Sequence, residues 1–292
     1  MNRTGRTEYR NGLRRSPNPL PRPVVTRLTA CATPSALFGV RAVACLLLLG
    51  VVPTEALLAQ ASRAPAPSAL ARVDTLRSEG RFRPALAQIN RLHRRSPRDV
   101  EVLWRRALLL SDIGRRSGDE DSTVTLHRRA LRVADTARAV DSTNAWAHLV
   151  TALAAGRLTL HVGASKRVRH SRAVKRHADR AIALDSTLAP AYHLRGRWHR
   201  EVADLNFLVR TLVRTFYGGL PDASLEQAVR DFRRAIALES KPYNHLELGK
   251  TYLEMGRDAA ARTQLQRALD TSGSPFEAEH WREARALLAE MK

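Results

Sequence analysis

From about residue 69 to the C-terminus, apolar residues recur at helical spacing, and the pattern resets at intervals. The clearest unit runs from Pro242 to Pro275. Counting Pro242 as the first residue, Leu248 and Gly249 are seventh and eighth, Tyr252 eleventh and Gly256 fifteenth. Ala261, Leu265 and Ala268 then stand at twenty, twenty-four and twenty-seven. This predicts two antiparallel helices turning at Gly256. Small residues at eight, twenty and twenty-seven let the backbones approach, and the larger ones fill the gaps. A weaker unit at 66–99 places Val73, Leu76, Gly80, Phe82, Ala85, Ile89 and Pro97 at the same offsets, and Ala107, Leu110 and Gly114 mark the next first helix. Later units begin at a recurring junction: V-D-S-T-N-A-W-A-H (140–148), L-D-S-T-L-A-P-A-Y-H (184–193) and L-E-S-K-P-Y-N-H (238–245).

A 34-residue helix–turn–helix period with these occupants resembles the tetratricopeptide repeat, whose units stack because none buries its apolar face alone. The expected fold is all-α: a solenoid of antiparallel helix pairs with two lengthened helices and a C-terminal capping helix. Equivalent alanines measure the departures from a plain repeat. Ala137 and Ala181 are 44 residues apart, Ala181 and Ala235 are 54, and Ala235 and Ala268 are 33. The excesses of about ten and twenty predict long helices over Ser165–Leu184 and Ala189–Tyr217, the latter roughly 40 Å long. The earlier helix is expected to cover the stripe Leu205, Leu208, Leu212 and Phe216. Ser224 with Gln227, and Ser274 with Glu277, read as capping boxes. The last helix carries Trp281, Ala284, Leu288 and Met291 on one face.

Residues 1–61 break this pattern. The run A-V-A-C-L-L-L-L-G-V-V (42–52) is too short to span a bilayer, which takes about 20 residues, but matches a signal-peptide core. Ala59-Gln60-Ala61 supplies a small-x-small cleavage pattern. The expected organisation is a basic leader with signal peptide at 1–61, cleaved near 61, a linker at 62–68, and a repeat domain at 69–292. From Val40 onward the leader reads as an ordinary short signal peptide, which predicts translation starting at Val40. Export to a bacterial periplasm or outer envelope follows, with membrane contact only through an uncleaved leader.

The formal net charge is +21, almost all from Arg, with only five lysines. The leader contributes +6, so the remaining +15 belongs to the folded part. Such a surplus favours anionic partners. Both cysteines, Cys31 and Cys45, lie in the leader, so cleavage removes any disulfide or thiolate metal site.

No catalytic constellation emerges. The histidine pairs His170/His177 and His193/His199 are seven and six residues apart, not the i, i+4 spacing of a helical zinc site. His148, His193 and His245 fall at equivalent junction places, which points to packing or capping. Asp119-Glu120-Asp121 suits a helix N-terminus better than a calcium loop. Neither cofactor nor metal is expected, and the chain reads as a non-enzyme.

Two surfaces remain. Repeat proteins bind through the groove lined by first helices, which here predicts Trp104, Leu149, His193, Arg197, Arg200, Leu246, Lys250 and Leu253. That mixture suits an acidic, partly apolar protein or peptide, with Trp198 as an alternative core residue. The segment 166–180 concentrates Lys166, Arg167, Arg169, Arg172, Lys175, Arg176 and Arg180 around one acid, Asp179. It is either a solvated face or a patch for a polyanion such as nucleic acid, anionic lipid or an envelope polymer.

The motifs A-Y-H-L-R-G-R-W-H-R-E-V-A-D-L (191–205), G-G-L-P-D-A-S-L-E-Q-A (218–228) and N-H-L-E-L-G-K-T-Y (244–252), with the long insert joining the first two, resemble the regulator of microtubule dynamics protein family. The resemblance spans about Asn144 to Ala289. It implies an all-α repeat fold without catalytic activity and, in eukaryotic members, association with microtubules, spindle poles and membrane contact sites. The leading expectation is an exported scaffold that recruits a protein partner. A polyanion-binding module is the alternative. The family's cytoskeletal role in the cytoplasm is the third.

Overall fold

A computed structural model describes residues 67–274 and 277–291. The leader, with its signal-peptide, cleavage-site and Val40 readings, lies outside the described residues. Among the described residues there are twelve α-helices and no strand. Five antiparallel pairs follow the chain: α1 (Pro67–Ser78) with α2 (Phe82–Arg95), α3 (Val100–Arg115) with α4 (Glu120–Val140), α5 (Ala145–Thr159) with α6 (Ala164–Leu184), α7 (Ala189–Ala203) with α9 (Leu225–Leu238), and α10 (Pro242–Glu254) with α11 (Asp258–Asp270). Helix α8 (Phe207–Tyr217) is inserted inside the fourth pair, and α12 (Ala278–Glu290) caps the last. Helix α1 begins inside the stretch read as linker, with Pro67 as its first residue, a position that has no need of an N–H.

The pairs are close because small residues face each other. Ala85, Ala137, Ala181, Ala235 and Ala268 on the second helices are wholly buried. On the first helix of the last pair, a Cβ added to Gly249 would lie 2.9 Å from the Leu265 side chain, below any normal contact. Larger residues fill the spaces within and between pairs: Phe232, Ile89, Leu103, Leu109, Leu246 and Leu265 are almost entirely buried.

The junctions are built from polar side chains. The Oδ1 atoms of Asp141 and Asp185 each accept from both the backbone N–H and the hydroxyl of the threonine two residues on, at 2.6–2.8 Å. Asn144 then caps α5 through the Ala147 N–H (3.0 Å). Asp99 and Asp119 cap α3 and α4 in the same manner, so the acidic run 119–121 does start a helix. Ser224 accepts from Gln227 N–H (3.2 Å), as the capping box there predicts. At the last helix Glu277 reaches back to Ser274 N–H (2.7 Å), but α12 starts only at Ala278, with Glu277 itself as N-cap.

Two expectations are corrected. The twenty-residue excess is not a lengthened helix. The chain breaks at Asp204-Leu205-Asn206 and restarts as α8. The Asn206 side chain accepts from Val209 N–H (2.9 Å) and so starts a new helix, while Arg210 donates to the freed carbonyls of Val202 and Ala203 (3.2 Å each). Helix α6 is long, with 21 residues, but does not cover the stripe on α8. Its apolar face, Val174, Ala178 and Ala181, is buried between α5 of its own repeat and α7 of the next. Leu205 packs into the core, whereas Leu208, Leu212 and Phe216 are 71%, 54% and 70% exposed.

Gly249→Val should lower stability by about 2 kcal/mol through overpacking against Leu265. Gly118→Val, where nothing lies within 4 Å of the added Cβ, should change it by less than about 0.5 kcal/mol. Urea unfolding of the two variants measures the difference.

Candidate partner-binding surface

The first helices α1, α3, α5, α7 and α10, followed by α12, lie side by side as one layer, and charged side chains link most of the neighbours. Arg105 of α3 reaches Asp74 of α1 at 3.0 Å. Asp112 of α3 accepts from Arg77 of α1 at 2.8 Å and lies 3.4 Å from Arg157 of α5, which also donates to Ser111 (2.9 Å). Burial pushes the Asp112 carboxyl up, but the Arg77 and Arg157 guanidiniums outweigh it and hold the group below its ordinary range. Burial also lowers Arg157, to about 10. Further along, Arg200 of α7 donates to Glu247 (2.6 Å) and Glu254 (2.7 Å) of α10. Lys250 of α10 donates to Glu283 of α12 (2.6 Å). Arg115, at the end of α3, pairs with Glu279 of α12, so the capping helix reaches back to the second repeat.

The residues predicted to line a groove therefore divide. Leu149 and Leu246 are core residues, 5% and 0% exposed, and cannot meet a partner. Trp104 is also buried: it stacks on Trp146 with ring centroids 4.6 Å apart and carries the Arg105 guanidinium on its ring. Leu253 packs between the core clusters of α9–α11 and of α10–α12. Arg200 is buried in its two ion pairs. Arg197, bound to Glu201 (2.8 Å), and Lys250 keep part of their surface in water. Trp198 belongs to the core and donates to Ser171 (2.9 Å). First-helix position alone did not separate the buried face from the open one, because a helix in the middle of a stack is buried on two sides.

The histidines act structurally. His148 and His177, 29 residues apart on different helices, meet Nδ1 to Nδ1 at 3.0 Å. His148 Nε2 faces the Ser142 carbonyl (3.1 Å) and His177 Nε2 faces Arg176 (3.4 Å). One proton arrangement satisfies all three contacts: His148 carries its proton on Nε2 and His177 on Nδ1. The junction equivalence assigned to His193 is corrected. Tyr192 takes that place, donating to the Ser186 carbonyl (3.3 Å) as His148 does to Ser142. His193 instead faces Asn244 Oδ1 of α10 (2.8 Å). Among the described residues no group of three or more His, Cys, Asp or Glu is placed to hold a metal.

On α6, Lys166, Arg167, Arg169, Arg176 and Arg180 are exposed, while Arg172 and Lys175 are partly buried. Arg172 donates to the Gly219 carbonyl (2.9 Å) and the Tyr217 carbonyl, and Lys175 pairs with Asp179 (2.6 Å). Two members of the patch thus hold the structure together.

The sequence profile of Regulator of microtubule dynamics protein 1-3 matches residues 69–292. The chain belongs to this family. The regulator of microtubule dynamics match extends well before Asn144, into the two N-terminal repeats. The chain is 31% identical over 173 residues to Regulator of microtubule dynamics protein 3 of Xenopus laevis, covering 58% of this chain and 37% of that protein. It is 30% identical over 175 residues to Regulator of microtubule dynamics protein 1 of Bos taurus, covering 59% and 55%. It thus spans about half, or less, of these relatives. A thermophilic TPR protein of Thermus thermophilus superposes with a TM-score of 0.55 at 23% identity, covering 76% of this chain and 98% of that one, which supports the repeat fold.

Burial lowers His127, His177, His193 and His199 to about 4, with neighbouring Arg, Lys or His charges adding to it. In the unfolded chain histidine titrates near 6.5. As pH falls from about 6.5 to 4 the unfolded state takes up protons that the folded state refuses, so stability is full above this window and declines within it. At pH 5 the loss should be of order 1 kcal/mol per buried histidine. His177→Gln should flatten the decline in urea midpoint between pH 6.5 and 5.

Proposed function

We propose that this family member is a non-enzymatic scaffold that recruits a protein partner through its layer of first helices, and that the partner presents an acidic amphipathic helix. One observation carries the reading. The layer already holds such a helix of its own, since Glu279 and Glu283 of α12 are bound by Arg115 of α3 and Lys250 of α10. The ionisable groups in the layer are engaged with one another, and the arrangement offers positioning rather than a nucleophile or general base. The reading includes export to the bacterial envelope, which rests on the leader.

Two other readings have support. The five exposed cations of α6 favour a polyanion, whose binding would weaken steeply with salt. The relatives are named as regulators of microtubule dynamics, which favours a tubulin polymer as partner.

A displayed library of helical peptides panned on the full chain tests the scaffold reading. Acidic amphipathic sequences should be enriched, and Arg115→Glu with Arg197→Glu and Lys250→Glu should weaken the selected peptides at least tenfold. Binding that is confined to duplex nucleic acid and lost at moderate salt supports the polyanion reading instead. Co-sedimentation with microtubules supports the third.

A further inference from the structure

We propose that α8 and the cleft beside it form a second docking surface, whose occupant is an amphipathic helix of another protein with an apolar stripe and acidic flanks. This goes beyond the reading of the first-helix layer and shares with it only the premise that the chain recruits protein.

Helix α8 is held at both ends and buried nowhere. None of its eleven residues is buried, and an isolated helix of that length is marginal in water. It is fixed by its boundaries. Asn206 caps its start. At its end the N–H groups of Gly218 and Gly219 close on the carbonyls of Arg214 and Val213 (3.2 and 3.1 Å), with Gly218 at φ 72°. Arg172 of α6 grips the carbonyls of Tyr217 and Gly219 from outside. What is presented in this way is apolar. Leu208, Leu212 and Phe216 follow one another at four-residue spacing, Val209 lies along the same face, and Phe207 is 79% exposed. The patch is on the order of 500 Å², the size of the largest apolar patch on a typical monomer, which is often functional.

The occupant is decided by charge and by shape. Helix α8 contains two arginines and no acid, and α6 beside it carries Lys166, Arg169 and Arg172. A second copy docked on this face would bring positive charge against positive charge, whereas an acidic partner meets its complement. A cleft of about 220 Å³ opens along α8, walled by Val202, Leu205, Val213 and Leu220, with two cations, Arg210 and Arg214, against a single acid, Asp222. Its apolar floor takes one anchoring side chain, the arrangement on which protein interfaces concentrate their affinity. A membrane surface has no use for such a socket.

The same displayed library, panned on the full chain, supplies the probe: the best selected peptide is synthesised and its Kd measured by fluorescence anisotropy. A peptide with apolar residues at i, i+3/i+4 spacing and acidic flanks should weaken at least tenfold when the chain carries Leu212→Asp and Phe216→Asp. It should be unaffected by Arg115→Glu with Lys250→Glu. The α8 variant should keep its melting temperature, because those side chains are already in water. The proposal is overturned if every selected peptide binds the α8 variant as well as the unaltered chain. It is also overturned if sedimentation shows a dimer that Leu212→Asp dissociates, or if α8-dependent binding is found only to phosphatidylserine–phosphatidylcholine vesicles. Peptides that depend on the first-helix layer alone would sink the α8 site and leave the scaffold reading standing. Peptides that bind neither surface would sink both.

Discussion

The close approach of two helices within each pair is the constraint on which everything else rests. It is set by residues with little or no side chain at equivalent places: Ala137, Ala181, Ala235 and Ala268, each wholly buried, and glycines such as Gly196, whose added Cβ would lie 3.0 Å from the Phe232 ring. Where the backbones meet closely, interior packing density follows and a single added methylene is felt. The pairs then behave as units whose faces must be covered by neighbours. This orders the first helices into one layer and brings their charged side chains within reach of one another.

That layer explains how a chain of net charge +21 tolerates charge in its interior. Ionic contacts link first helices on neighbouring repeats: Arg105 to Asp74, Arg77 to Asp112 to Arg157, and Arg200 to Glu247 and Glu254. Within the fourth pair Arg195 of α7 meets Asp231 of α9 with two parallel bonds of 2.8 and 2.6 Å, a geometry that a lysine cannot reproduce. Desolvation offsets much of what such pairs contribute, so their clearer effect is on register. A repeat slid along its neighbour would bury an unpaired charge. The Arg-rich composition, which on its own points outward to anionic partners, is thus spent in part on holding neighbouring repeats in place.

The helix-pair architecture was readable from the sequence because it depends on spacing. The intervals between equivalent alanines located the pairs even where 34 residues became 44 or 54. The caps were readable too, since Ser224 and Asp119 act on residues two to four places away. What could not be read depends on surroundings that spacing does not encode. The stripe on α8 has the period of a buried helix face, yet the helix that could have covered it spends its own apolar face elsewhere. Leu149 and Leu246 occupy groove places in the repeat pattern, but lie between layers. The equivalence of His193 with His148 failed by one residue: counted from the junction serine, His148 stands six places on and His193 seven, so Tyr192 takes the matching place. The His148–His177 contact joins residues 29 apart on different helices and has no local signature.

The insertion carrying α8 shows why such a scaffold can acquire a new surface without losing its fold. Helices α7 and α9 pack against each other as an ordinary pair, with Gly196 against Phe232, as though the residues between them were absent. Lengthening a loop costs only slowly more entropy, so the twenty extra residues need not be repaid by burial. They need only be tied down: Leu205 and Leu220 pack against the core on either side of α8, and the ties of α8 itself are polar, from Asn206, Arg210 and Arg172. Because none of them uses the apolar side chains of α8, those side chains are left over from folding. The first-helix layer is in the opposite position, since its charges are already committed to neighbouring repeats or to α12. A partner must compete for that layer but meets α8 unoccupied, and this difference makes the insert the more accessible of the two surfaces.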